Sequence, residues 1–253
     1  INSLALISGR YTLQALEVLT QMCAAYLLLV CQALDLRVLQ VRFFEAAGAK
    51  VRRLTAGLLS LGADSEDSAS SRSSEGASVS SEKVWMGIRG LWDEHSREDL
   101  GVRARKTAEK AVGVLVAEMS STTMTTDHGR DDETSLSLGR VNEWRTDLAS
   151  TLERAYDACR EEMFERHNDI TPTYLGLASE KMYRFVRREL EVPFHRGLVE
   201  DPTVPLGEGV EMGKGHRRTI GSMVSVVYEA LRDGRLHEPV MEAVREGLMS
   251  QAD

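Results

Sequence analysis

The sequence predicts an all-α protein, and three features of its 253 residues carry that prediction. Apolar residues recur at three-to-four spacing through most of the chain, helix start and stop residues flank several of these runs, and no alternating stretch long enough for a convincing strand occurs. With 42% of its residues hydrophobic and 28% charged, the chain has apolar material for a core and enough charge to stay in solution.

The first element is the longest. Residues 3–45 run without proline, and Leu13, Leu16, Met22, Tyr26, Val30 and Leu34 fall at helical spacing. Because residues 22–34 are apolar nearly all round, they predict the inner member of a large bundle or assembly rather than a surface helix. The apolar run at 22–31 is broken by Gln32 and closed by Asp35 and Arg37, short of the roughly 20 residues a bilayer requires, so no membrane partner is expected. Residues 61–82 turn to Ser, Gly, Asp and Glu, a composition that cannot offset its own ordering entropy and predicts a mobile loop.

Two helices are predicted over 83–121. Trp85, Ile88, Leu91 and Trp92 form the stripe of one, Val112, Leu115, Val116 and Met119 that of the other, and residues 93–101 form the turn between them. After an acidic loop at 127–133, Val141, Trp144, Leu148, Leu152, Tyr156 and Cys159 mark an amphipathic helix over 138–166. A further helix is expected at 172–190, with Thr171 as N-cap, Pro172 in the first position and Val192-Pro193 as its end. Residues 200–218 hold two prolines and four glycines and predict irregular chain. The last helices are 220–233, closed by Gly234, and 238–249, opened with Pro239. The divisions that follow are a bundle segment at 1–60, the Ser-rich loop at 61–82, a helical domain at 83–173 and C-terminal helices at 174–253 that return to the bundle.

Composition excludes several functions. The net charge is −8, with Lys and Arg interspersed among Asp and Glu, which argues against a nucleic-acid or anionic-membrane surface. Cys23, Cys31 and Cys159 are an odd number and fit a reducing, cytoplasmic setting. Cys23 and Cys31 lie about 12 Å apart along a helix, too far for a disulfide, and all three are expected to be buried thiols. The first residue is Ile, and no basic region leads into an apolar signal, so the chain is expected to begin inside a longer protein.

The histidines at 95, 128, 167, 195, 216 and 237 are too dispersed for a helical metal pair. Asp127, His128, Asp131 and Asp132 lack the pattern of a calcium loop and read as solvated acids. The glycines between Gly207 and Gly213 are mis-spaced for a dinucleotide site and follow no strand. Gly213-Lys214-Gly215-His216-Arg217-Arg218 reads as a basic surface turn rather than an anion site. No serine sits in a nucleophile elbow. Read from its residues alone, the chain is helical and oligomer-prone, with no catalytic, cofactor-binding or metal-ligating residue assigned.

A resemblance adds a function. Residues 1–10 (INSLALISGR) and the string Cys31-Gln32-Ala33-Leu34-Asp35-Leu36-Arg37 resemble the long central helix of eukaryotic-type phenylalanine ammonia-lyases, within the aromatic amino acid ammonia-lyase family. Tyr183-Arg184-Phe185-Val186-Arg187-Arg188-Glu189-Leu190 is similar to a later block of the family. Thr219-Ile220-Gly221-Ser222, with Val224-Ser225, Tyr228-Glu229-Ala230 and Gly234-Arg235, is similar to its last. The blocks come in the family's order, and the likeness is strongest to fungal enzymes.

The resemblance implies the C-terminal portion of a homotetrameric lyase that converts L-phenylalanine into trans-cinnamate and ammonia. A tyrosine ammonia-lyase or an aminomutase on the same scaffold, and a catalytically inactive assembly protein derived from the lyase, are the alternatives. It also implies that residues from about 81 to 173 are an added helical domain shielding the active-site entrance. The family's methylidene-imidazolone group forms from an Ala-Ser-Gly, which this chain lacks. Ile7-Ser8-Gly9 stands where the family has Ile-Ser-Ala inside a helix. The family's catalytic and substrate-binding residues lie before the position matched by Ile1, so none is carried over. Asn2 and Ser3 open the first helix and are expected to border the substrate pocket of the complete enzyme.

Overall fold

The computed structural model describes residues 2–60, 70–123, 138–197 and 219–249. These residues form α1 (Asn2–Ser60), α2 (Ser70–Glu94), α3 (Leu100–Thr123), α4 (Leu138–Ile170), a 3-10 turn (Thr171–Tyr174), α5 (Leu177–Arg184), a π-helical turn (Phe185–Glu189), α6 (Ile220–Arg232) and α7 (His237–Met249). Among the described residues there is no strand, so the all-α expectation holds. By contacts the chain divides into two compact units, Ile1–Leu39 with Glu162–Asp253, and Gln40–Glu161. Both limits fall inside helices, α1 and α4, whereas composition places them at loops.

In the Gln40–Glu161 unit, aromatic and small residues make the core. Phe43 packs on Trp92 with ring centroids 4.7 Å apart and meets the edge of Tyr156 at 5.4 Å. Arg103 lies over Trp92, 4.1 Å from the ring centroid, and its Nε donates to the Trp92 carbonyl at 2.9 Å. Trp144 Nε1 donates to the buried Thr55 hydroxyl at 3.3 Å. α2 and α3 approach closely at Gly87, where an added Cβ would lie 2.7 Å from Cγ1 of Val114.

α2 begins at Ser70, so the expected loop at 61–82 is helical over residues 70–82, and residues 61–69 lie outside the described residues. Tertiary packing overrides the weak helix propensity of serine here. Ser80 and Ser81 are buried, Ser80 Oγ hydrogen-bonds Oε1 of Glu118 on α3 at 3.2 Å, and Lys83 reaches the same oxygen at 2.8 Å. The expected turn at 93–101 is the observed link between α2 and α3.

In the other unit, Ala24, Leu28 and Cys31 of α1 pack with Tyr183, Phe185, Val186, Leu190, Val192, Met223, Val227 and Ala230. Thr219 caps α6, its Oγ1 accepting from Ser222 N at 3.1 Å. Gly234, at φ +75°, ends that helix in the left-handed conformation glycine supplies, and Arg235 N returns to the Ala230 carbonyl at 3.0 Å. Lys181 ties α5 to α7, with Glu242 at 3.1 Å and Glu246 at 2.9 Å.

Three expectations need correction in this unit. The single helix at 172–190 is a 3-10 turn, then α5, then a π-helical turn, with a break at Leu175-Gly176. Thr171 is not a cap: Ile170 holds that position without a side-chain bond, and the buried Thr171 hydroxyl goes to a carboxylate of α1 instead. Cys23 is exposed, because the side of α1 that carries it is left uncovered within the unit, while Cys31 and Cys159 are buried.

α1 is the one helix among the described residues that is long and apolar enough to cross a membrane, with an 18-residue window of mean hydropathy 1.7 of which 33% is buried. Bundle-core helices share that profile. The same helix carries Asp35 in a buried ion pair, a feature of packed protein rather than of a lone span.

Candidate functional site

Asp35 is the centre of the most polar part of the core, and it is fully buried. A carboxylate there is tolerable only if its oxygens are paired and hydrogen-bonded. One oxygen accepts from Thr171 Oγ1 at 2.6 Å and from Tyr183 OH at 2.5 Å; the other accepts from Arg187 Nη2 at 2.7 Å. The Arg187 side chain is as buried as its partner, and its Nη1 donates to the carbonyls of Val192, at 3.2 Å, and Pro193. Gln32 extends the cluster one helical turn before Asp35. Its Oε1 accepts from Arg187 Nη2 at 3.3 Å and from His195 N at 3.1 Å, and its Nε2 donates to the His195 carbonyl at 3.0 Å.

The π-helical turn and the next residue put Arg187 in place. Leu190 N bonds the Phe185 carbonyl five residues back, at 3.0 Å, and Glu191 takes a left-handed φ of +51° before the chain continues through Val192. The carbonyls of Val192 and Pro193 then receive the guanidinium. Burial, with the adjacent Asp35, pushes the Tyr183 hydroxyl well above its ordinary range, so it stays a donor. Burial also raises the Cys31 thiol to about 11, only partly offset by Arg187, which makes it an inert thiol at neutral pH. With every Asp35 oxygen occupied by a donor, the cluster has no open position for a substrate, and it acts as a lock joining α1, α5 and the chain at 190–197.

Beside the lock lies an apolar groove of about 630 Å³, formed by α1 with α5 and the α6–α7 corner. Leu19, Met22, Tyr26, Met182, Leu231 and Leu236 are among its lining residues, and no charged side chain lines it. On α1, Tyr26 and Met22 are 70% and 65% exposed, and Leu13, Leu16 and Leu29 are exposed as well. Such an area has the character of an obligate interface rather than of a reaction centre.

No family model matches the chain. A phenylalanine ammonia-lyase of Aspergillus lentulus is 35% identical over 236 residues, covering 92% of this chain and 30% of that protein. Another, from Phoma sp., is 32% identical over 247 residues, covering 97% of this chain and 32% of its own length. The crystal structure of phenylalanine ammonia-lyase from Rhodosporidium toruloides has the same fold, with a TM-score of 0.74 and 28% identity over 96% of this chain and 32% of that one. Over nearly its whole length the chain is similar in sequence and fold to one part of a phenylalanine ammonia-lyase. It spans about a third of the length of the relatives it matches.

The lock gives two of the strings quoted above a physical meaning. Asp35 and Gln32 belong to Cys31–Arg37, Tyr183 and Arg187 to 183–190, and the two strings meet through the 2.7 Å pair between residues 152 positions apart. Sequence reasoning assigned none of these four a role, and neither Thr171 nor His167 was placed near them. The available signal was an acid on a largely apolar helix; Arg187 stands in a block with Arg184, Arg188 and Glu189, and nothing local distinguished it from them.

Other sequence candidates fall elsewhere. Ser8 of Ile7-Ser8-Gly9 sits within α1, where its carbonyl accepts from Thr12 Oγ1 at 3.0 Å, so this tripeptide is ordinary helix and does not fit as a precursor of the methylidene-imidazolone. α1 starts at Asn2, but the side chains of Asn2 and Ser3 lie outside the described residues. The same holds for Asp127, His128, Asp131, Asp132 and residues 207–218. Among the described residues no group of three or more His, Cys, Asp or Glu is arranged to hold a metal.

Proposed function

We propose that this chain is the C-terminal, non-catalytic portion of a fungal-type aromatic amino acid ammonia-lyase that deaminates L-phenylalanine to trans-cinnamate and ammonia. The observation that carries the reading is the match to phenylalanine ammonia-lyases along 92–97% of the chain, through the blocks that build the lock. In the complete enzyme the methylidene-imidazolone would supply the electrophile, and it would form in a part of the protein outside these 253 residues, which contain no Ala-Ser-Gly. The role of this portion is architectural: the lock sets α1 against α5, and the exposed apolar length of α1 builds a cytoplasmic homotetramer. Residues from about 81 to 173 are the domain that shields the active-site entrance, and the helix start at Asn2 and Ser3 borders the substrate pocket.

The test is cinnamate absorbance on incubating the product of the complete reading frame with L-phenylalanine, alongside the 253-residue chain alone. Activity in the first and none in the second is expected. A complete product that makes coumarate from L-tyrosine only, or β-phenylalanine, would move the assignment to the tyrosine lyase or the aminomutase. A reading frame lacking Ala-Ser-Gly, with no turnover, would make the protein an inactive assembly form.

A further inference from the structure

We propose that His167 is an acid-sensitive catch in the unit that holds the lock: neutral, it leaves the packing of α4 against Tyr183 and Arg187 closed, and protonated, it loosens that packing. The inference rests on the geometry of the cluster and not on the catalytic assignment. His167 lies near the end of α4, only 8% exposed, with its Nδ1 buried and without a hydrogen-bond partner. Its ring packs on Phe194 with centroids 5.7 Å apart, and its own carbonyl accepts from Tyr183 OH at 3.3 Å. Any displacement of this turn therefore pulls on the side chain that also binds Asp35.

The charges around the ring make the direction of the effect clear. Asp35 faces it from α1, Arg187 from the π-helical turn, and the buried Cys31 and Tyr183 stay uncharged. On the same turn Asp169 is taken by Arg188 at 2.7 Å, and His195, on the chain beyond Leu190, is tied through its backbone to Gln32. The buried centre thus holds one carboxylate and one guanidinium, already paired. A proton on His167 adds a second positive charge with no carboxylate to receive it, where water has little access.

Burial holds the imidazole below its ordinary value. Asp35 pulls it up and Arg187 down, while the Met163 and Phe164 carbonyls favour the charged ring. Those carbonyls lie on its own helix, α4, and offset only part of the effect of burial. The folded value being depressed, the unit is most stable above the ordinary histidine value of about 6.5 and loses stability as pH falls below it.

Amide exchange of residues 183–192 in the complete protein, corrected for intrinsic chemistry and compared at pH 7.5 and 5.5, tests the catch. Exchange should quicken by about tenfold across that window, the change that coupling to one proton produces over one pH unit. His167→Gln should abolish the dependence, while His195→Gln should retain it. Unchanged wild-type exchange, or a His167→Gln protein with the full pH dependence, would overturn the proposal. If His167→Gln does not fold, the ring signals of 13C-histidine-labelled wild-type protein decide: native His167 must stay neutral through the pH range in which exchange begins to quicken, and a native ring that titrates at the ordinary value of about 6.5 overturns the proposal.

Discussion

Asp35 and Arg187 are worth most as a pair and least as survivors. Removing one leaves an uncompensated buried charge, so Asp35→Ala or Arg187→Ala should cost about 3–5 kcal/mol in urea unfolding. Replacing both with apolar residues, as in Asp35→Leu with Arg187→Met, should cost less than either single change, and additive losses would show that the pair is not coupled. The neighbouring Tyr183 and Cys31 set an alkaline limit. Both are held above their ordinary values in the fold, so the stability they contribute is complete below those ordinary values and is lost as pH rises past them. A stability profile measured from pH 8 to 11 should fall, and Tyr183→Phe should flatten its upper part. The lock itself was outside the reach of periodicity, because its partners are 152 residues apart. What could be read locally was that an acid stood on a largely apolar helix, while Arg187 looked no different from Arg184 and Arg188 beside it.

Helices are where the sequence was most legible. The α2–α3 turn, the amphipathic stripe of α4, the extent of α6 and its Gly234 stop all follow from spacing and stop residues, and the structure places them where those rules put them. Legibility failed where tertiary contacts overrode composition. Serines 80 and 81 look like loop residues until Glu118 and the α3 surface are beside them, and Thr171 looks like a cap until Asp35 takes its hydroxyl. The close α2–α3 contact predicts opposite outcomes for two glycines of one helix. Gly87→Ala places a Cβ 2.7 Å from a stiff valine branch and should destabilise by about 1–3 kcal/mol, despite the better helix propensity of alanine. Gly90→Ala meets nothing within 4 Å and should stabilise by about 0.5–1 kcal/mol. Thermal unfolding of the two variants checks this contrast. Thr219→Ala should cost about 1 kcal/mol through loss of the α6 cap.

At the scale of the molecule, a helix that is apolar nearly all round and exposed at Leu13, Leu16, Met22, Tyr26 and Leu29 requires company. If the proposed tetramer forms through α1, sedimentation of the complete protein carrying Met22→Glu with Tyr26→Glu should show smaller species than the wild type, and an unchanged assembly would remove α1 from the interface. The fold was legible at this scale because an apolar helix without a mate announces a bundle. The reaction was not, because the tripeptide that forms the electrophile is absent from these residues and the function rests on resemblance. The most direct measurement is therefore the cinnamate assay on the product of the complete reading frame. Formation of trans-cinnamate from L-phenylalanine by that product, and none by the 253-residue chain, is the expected result. A complete product that carries Ala-Ser-Gly, folds with the lock intact and still leaves L-phenylalanine unchanged would contradict the account.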